Sequence, residues 1–295
     1  MQLQSLFTSG TTAYQYNVDG FLTTKTAGAD SSSYNYSSRG ELLSVSLPDG
    51  RIIEYVHDPL GRRIAKKING VIVEKYLWQG LTRLLAVYDG SDNLLMRFEY
   101  ADGRMPVAMT KGSSTYYLTY DQIGSLRIVA DASGNVVKRI EYDSFGNIIS
   151  DNDLTFEIPF GFAGGLHDRD TGLVRFGYRD YDPDIGRWSA KDPIFFPGGD
   201  TDLYGYVLND PVNLVDPDGR AVPWVVKFLY GRIASALLNF LDKGDDSACT
   251  EQKMMDEGTY WETTYELLEF EKEADELIRQ LQDMKKEMQR MQKFN

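Results

Sequence analysis

Apolar and polar positions alternate through the first two thirds of this 295-residue chain, as in RIIEYV from position 51 and GVIVEKY from position 70. A period of two turns one face of a strand toward a core and the other toward water. Between such runs stand Pro48-Asp49-Gly50, Asn69-Gly70, Asp89-Gly90 and Ser133-Gly134-Asn135, where Gly and Asn tolerate the positive φ of tight turns. Asn69-Gly70 is the strongest hairpin signal among them. The pattern predicts a succession of strand, turn and strand.

A longer period lies over the short one. The stretches YQYNVDGFL at 14, YNYSSRGEL at 34, YVHDPLGRRI at 55, LTYDQIGSLRI at 118 and IEYDSFGNII at 140 share an aromatic-polar-x-x-Gly unit. Their glycines fall at 20, 40, 61, 124 and 146, in steps of 20, 21, 63 and 22, and 63 is three steps of 21. Two degraded units are therefore expected around YLWQGL and FEYADGR. An unrelated β-sandwich with frequent turns is the alternative, and the regular glycines disfavour it.

After Ala221 the pattern changes to helical periods. PWVVKFLYGRIASALLNFLDKG opens with Pro223 at a first helical position and stops at Gly244, which predicts an amphipathic helix. Further on, Leu267, Phe270, Ala274, Leu277, Leu281, Met284, Met288 and Met291 recur at steps of three and four, a heptad seam. That seam predicts a homo-oligomer through the tail helix. The four glutamates Glu262, Glu266, Glu269 and Glu273 read as a solvated helix face.

Composition narrows the function. Hydrophobic residues make up 42% of the chain, enough to bury a real core. The net charge is −13, with 15 acids against 11 bases after Gly219 and 29 against 20 before it. Neither part offers the basic surface that binding nucleic acid needs. One cysteine, Cys249, and two histidines, His57 and His167, supply no disulfide framework and no structural zinc set. No cofactor and no metal are expected. No basic-then-apolar signal segment opens the chain, and Lys227 and Arg232 interrupt its longest apolar stretch, so a membrane-spanning helix is disfavoured.

Asp-Pro occurs three times between positions 192 and 217, at Asp192, Asp210 and Asp216. One reading is structural, since Asp before Pro initiates turns. The other is chemical: two carboxylates close enough to share a proton can activate water and polarise a carbonyl. Proline after each acid fixes φ, forbids further strand pairing and exposes the acid at a bend.

The tyrosine-aspartate units, together with FAGGLHDRDTGLVRFGYRDYDPDIGRWSAKDPI and DLYGYVLNDPVNLVDPDG, resemble the Rhs/YD-repeat proteins and their repeat-associated core region. The resemblance covers residues 14 to 219 and implies a mainly β fold. A YD-repeat β-sheet strip over 1–159, a partial Rhs shell, is followed by the core segment over 160–219. A small α-helical, coiled-coil-like tail, variable within the family, occupies 220–295. The chain has room for about ten units, fewer than family members with closed shells. The resemblance further implies a bacterial polymorphic toxin or toxin-delivery protein, exported or at the cell surface. Its partners would be the remainder of an Rhs shell or a secretion apparatus, and an immunity protein. Members of the family cut themselves between shell and effector with two aspartates, after a Pro-x4-Asp-Pro-x-Gly-Leu signature. Here Pro211, Asp216, Pro217 and Gly219 match that signature, Asp192 matches the other acid, and Arg187 matches an accompanying base. Arg220 stands in place of the leucine. Two alternatives remain: a non-cleaving surface or interaction protein with a self-associating tail, and a degenerate fragment beginning abruptly at Met1.

Overall fold

In a computed structural model of the chain, the described residues are 5–9, 11–194 and 202–220. All fall within one compact unit, Met1–Ile233; the second unit, Ala234–Asn295, lies outside the described residues. Both expected tail helices, Pro223 to Leu241 and Trp261 to Phe294, also lie outside them.

The alternating runs become fifteen antiparallel strands, from β1 (Ser5–Ser9) to β15 (Ile148–Asp151), each bonded to its sequence neighbours in one sheet. Every connection is local, as the turn signals required. The two degraded units are turns like the rest: one joins β8 (Val71–Gln79) to β9 (Arg83–Tyr88), the other β10 (Leu94–Tyr100) to β11 (Pro106–Lys111). No edge-to-edge pairing of β1 with β15 closes the strip among the described residues.

The repeat unit has a definite local cause. In IEYDSFGNII, Asp143 Oδ1 accepts hydrogen bonds from Phe145 N and Asn147 N, both at 2.9 Å, while Gly146 N donates to Asp143 O at 3.2 Å. Asp121 and Asp58 organise their turns in the same way. The aspartate thus serves as an Asx cap that bends the chain back. The tyrosine before the cap residue, Asp143 in one unit and Asn17 in another, sits at a register shift, between Glu141 and Tyr142 or between Gln15 and Tyr16. Such a bulge adds local twist and leaves Tyr142 and Tyr16 buried.

Residues 160–194 and 202–220 form a second, smaller body against the strip. Its four-stranded sheet contains β16 (Leu166–His167), β17 (Val174–Phe176), β18 (Arg179–Asp182) and β19 (Arg187–Trp188). Phe162, Phe176, Tyr181, Trp188 and Tyr206 make an aromatic centre, and all five are at most 2% exposed. Lys25, on β3 (Leu22–Ala27), pairs with Asp182 and Asp184 at 2.8 and 2.7 Å. Asn147, just after β14 (Val136–Tyr142), donates to Pro183 O at 3.0 Å. Eleven strand steps separate those two points, about 50 Å in a flat sheet. Both nevertheless reach residues 182–184, so the strip curls around the small body as around a plug.

The two rims of the strip differ. Gly146, at φ 92°, has the Phe162 ring where a Cβ would stand, whereas Gly134, at φ 85° on the opposite rim, has nothing within 4 Å. Gly134→Ala is expected to cost about 1 kcal/mol of backbone strain. Gly146→Ala should cost about 1–3 kcal/mol more, because the ring has to move. Urea midpoints of the two variants measure the difference; equal losses would mean that the plug does not bear on this rim.

Candidate active site and family

The 216–219 bend is laid directly on the turn before β18. Asp218 O accepts a hydrogen bond from Tyr178 N at 2.9 Å. Gly219 adopts φ 72°, and a Cβ there would lie 2.9 Å from Arg179 N and against Phe176 O. Only glycine fits so close an approach. Pro211 is buried and Pro217 half-buried, each following an aspartate at a bend.

Asp192 and Asp216, distant in sequence, meet on one guanidinium. Arg179 Nη2 lies 2.8 Å from Asp192 Oδ2 and 3.3 Å from Asp216 Oδ2. The arginine is held over the Trp188 ring at 4.1 Å, and its Nη1 donates to Leu203 O at 3.3 Å. Its Nε donates to the carbonyl oxygen of Gly219. Asp216 Oδ1 accepts from Gly219 N at 3.0 Å and from Arg220 N at 3.1 Å. Both ends of the Gly219–Arg220 peptide group are therefore gripped, the carbonyl by Arg179 and the amide by Asp216. Asp192 Oδ1 accepts from Ile194 N at 2.9 Å.

Burial sets the electrostatics of the pair, since Asp192, Asp216 and Arg179 are 6%, 3% and 4% exposed. Desolvation pushes the Asp216 carboxyl up to about 8 against the pull of Arg179, and Asp218 raises it further. Asp192 rises to about 6 for the same first reason, with Arg179 again opposing. One carboxylate and one carboxylic acid coexist near neutral pH, the state that acid–base chemistry on a peptide requires.

Arg187 is not the arginine placed between the two acids. It pairs with Asp202 at 2.8 Å and lies over Tyr204; the bridging base is Arg179, which the sequence reading missed. No local signal marked it: Arg179 opens RDYD, whose burial at all four positions belongs to the fold, and a buried arginine needs carboxylate partners. Arg220, in the leucine position, stacks over Tyr178 at 4.3 Å and pairs with Asp218 at 3.4 Å. His57 and His167 join no metal set; among the described residues no group of three or more His, Cys, Asp or Glu is placed to hold an ion. No helix among the described residues is long and apolar enough to cross a membrane.

Comparison with known proteins settles the relationship. The family model described as Teneurin YD-shell matches residues 2–212. The chain belongs to the teneurin YD-shell family. Within it, teneurin-3 of Danio rerio is 30% identical over 238 residues, covering 74% of this chain and 8% of that protein. The tRNA nuclease WapA of Bacillus subtilis is 29% identical over 202 residues, covering 65% of this chain and 8% of that protein. The YD-shell chain described here thus spans under a tenth of these relatives' length. Among solved structures, TcdB2-TccC3-TEV superposes with a TM-score of 0.51 at 21% identity, covering 70% of this chain and 13% of that one. The Tc holotoxin pore of Photorhabdus luminescens does so at 0.50 and 20%. Those likenesses show the fold: an antiparallel YD-repeat strip, as the resemblance to Rhs/YD-repeat proteins implied.

Proposed function

We propose that this chain is the closing end of a toxin-delivery shell, and that it cuts itself once between the plug and the tail. The gripped Gly219–Arg220 peptide group carries the reading: its carbonyl lies on Arg179 and its amide on Asp216. In the reaction, ionised Asp192 takes a proton from an attacking water, whose oxygen bonds to the Gly219 carbonyl carbon. Charge gathering on the carbonyl oxygen is met by Arg179, a fixed cation in a dry site. As the C–N bond breaks, protonated Asp216 gives its proton to the leaving nitrogen of Arg220. The pair ends with as many protons as it began.

After the cut, the new Gly219 carboxylate sits on Arg179 and blocks the site, so a single turnover is expected. The tail would be the delivered part, the rest of an Rhs shell its enclosure, and an immunity protein its counterpart in the producing cell. A second reading, a non-cleaving surface or interaction protein, is favoured by Arg220, whose stacking on Tyr178 holds the chain across the cut.

Denaturing mass measurement of the freshly produced full chain tests the proposal. Cleavage at the gripped bond yields fragments of 219 and 76 residues from the 295-residue chain; cleavage one bond later yields a 75-residue tail. An intact chain after prolonged incubation near pH 7 would overturn self-cleavage and favour the second reading.

A further inference from the structure

A small cavity of about 20 Å3 lies under the plug, beside the 216–219 bend, with Pro217 and Gly177 in its wall. Four arginines line it, Arg62, Arg63, Arg104 and Arg175, and no acidic residue does. Asp58 and Asp180 give them their ion pairs, and Asp168 and Glu41 act on Arg63 and Arg175 from farther off. Arg62 pairs with Asp58 at 2.6 Å, whereas Arg63 and Arg175 share the single carboxylate of Asp180 at 2.8 and 2.7 Å. Arg104 has no carboxylate: its Nη2 donates to Ile123 O and Ala163 O, each at 2.9 Å. Among the described residues, Arg104 is thus the one guanidinium of the four without an ion pair, in a region where uncompensated charge is costly.

The donors themselves are unfilled. The Nε atoms of Arg63 and Arg175, on side chains each 3% exposed, are buried without a hydrogen-bond partner. Arg104 Nη1 makes no hydrogen bond among the described residues, and it stands 2.7 Å from where a Cβ on Gly164, another wall residue, would be. Desolvation holds both Arg104 and Arg175 below the ordinary arginine range, whereas the neighbouring carboxylates hold Arg63 above it.

We propose that this cavity is a binding site for one monatomic anion, of the size and charge of chloride, held by Arg104 with Arg63 and Arg175. A volume near 20 Å3 admits about one water-sized particle, which excludes phosphate, sulfate and carboxylate ligands. A neutral water would fill the space but leave Arg104 without a counter-charge. The anion locks the strip, through Arg63 and Arg104, to the plug, through Arg175.

Thermal unfolding of the full chain in sodium gluconate, with chloride substituted at constant ionic strength, tests the site. The midpoint should rise hyperbolically with chloride and saturate, by about 2–4 °C, and bromide should reproduce the rise. Arg104→Gln, which keeps a donor for the two carbonyls but removes the charge, should abolish the chloride response. Without chloride, the same variant should melt no lower than the parent. A parent midpoint unaffected by chloride, or one that climbs linearly without saturating, overturns the proposal even if Arg104→Gln fails to fold. A full chloride response in Arg104→Gln likewise overturns it.

Discussion

Asp180→Ala is expected to destabilise the folded chain by about 3–5 kcal/mol, the cost of removing one member of a buried ionic group. Asp180 is 2% exposed and holds Arg63 of the strip and Arg175 of the plug, one on each carboxylate oxygen. Burial alone would raise its pKa, but the two guanidiniums outweigh that and hold it below the usual carboxylate range. A depressed carboxylate contributes stability above its unfolded pKa of about 3.9 and loses it as the pH falls. Removing the carboxylate leaves two like charges buried and facing each other. Against a typical total of about 5–15 kcal/mol, the loss should appear as a large fall in the urea midpoint. Replacing Arg63, Arg175 and Asp180 together with apolar residues of similar volume should restore most of it, because a buried ion group and a well-packed apolar one are close in free energy. A midpoint that stays low in the triple variant would mean that packing, not uncompensated charge, is what the single substitution destroys.

The strip was legible because every feature that makes it is local. Alternation chooses the face, the Asx cap of Asp143 or Asp121 makes the turn, and Gly146 or Gly124 supplies its positive φ; each acts within five residues. Even the degraded units at Gly80 and Gly103 kept their places, since the strands on either side fix the length between them. The plug was legible only as a resemblance. Its strands are two to four residues long, too short for any period to show. Asp192 and Asp216 stand out from the other Asp-Pro pairs only through the family signature, and Arg179, which carries no local mark, is brought to them by the pairing of β17 with β18. The arginine-lined cavity is likewise long-range, joining residue 63 to residue 175 through a contact that no spacing encodes. The curling of the strip is of the same kind: it appears only when Lys25 and Asn147 are seen to reach the same three residues.

Self-cleavage should follow a bell-shaped pH profile, with its maximum between about 6 and 8, because the acid pair titrates at about 6 and about 8 and only its singly protonated form has both a base and an acid. Below the lower value no carboxylate remains to take the proton of water; above the upper one no acid remains for the leaving nitrogen. Each limb has its own first cause in the burial of one acid, with Asp218 the carboxyl that raises Asp216 further. Asp192→Asn and Asp216→Asn should each slow the cut by at least about 100- to 10,000-fold, the ordinary worth of a positioned acid or base. The two should differ in stability. Folded Asp216 keeps a proton that the unfolded chain releases above about pH 3.9, so the folded state loses stability as pH rises from there toward 8. Asp216→Asn removes that loss and should flatten the dependence of the melting midpoint over this range. Fragment appearance followed by mass from pH 4 to 9, in the parent and both variants, measures the cleavage, and melting midpoints over the same range measure the stability. Cleavage that rises steadily with pH and survives Asp216→Asn would show that the bond is opened by a base alone, and would leave Asp216 as the fastening of a bend.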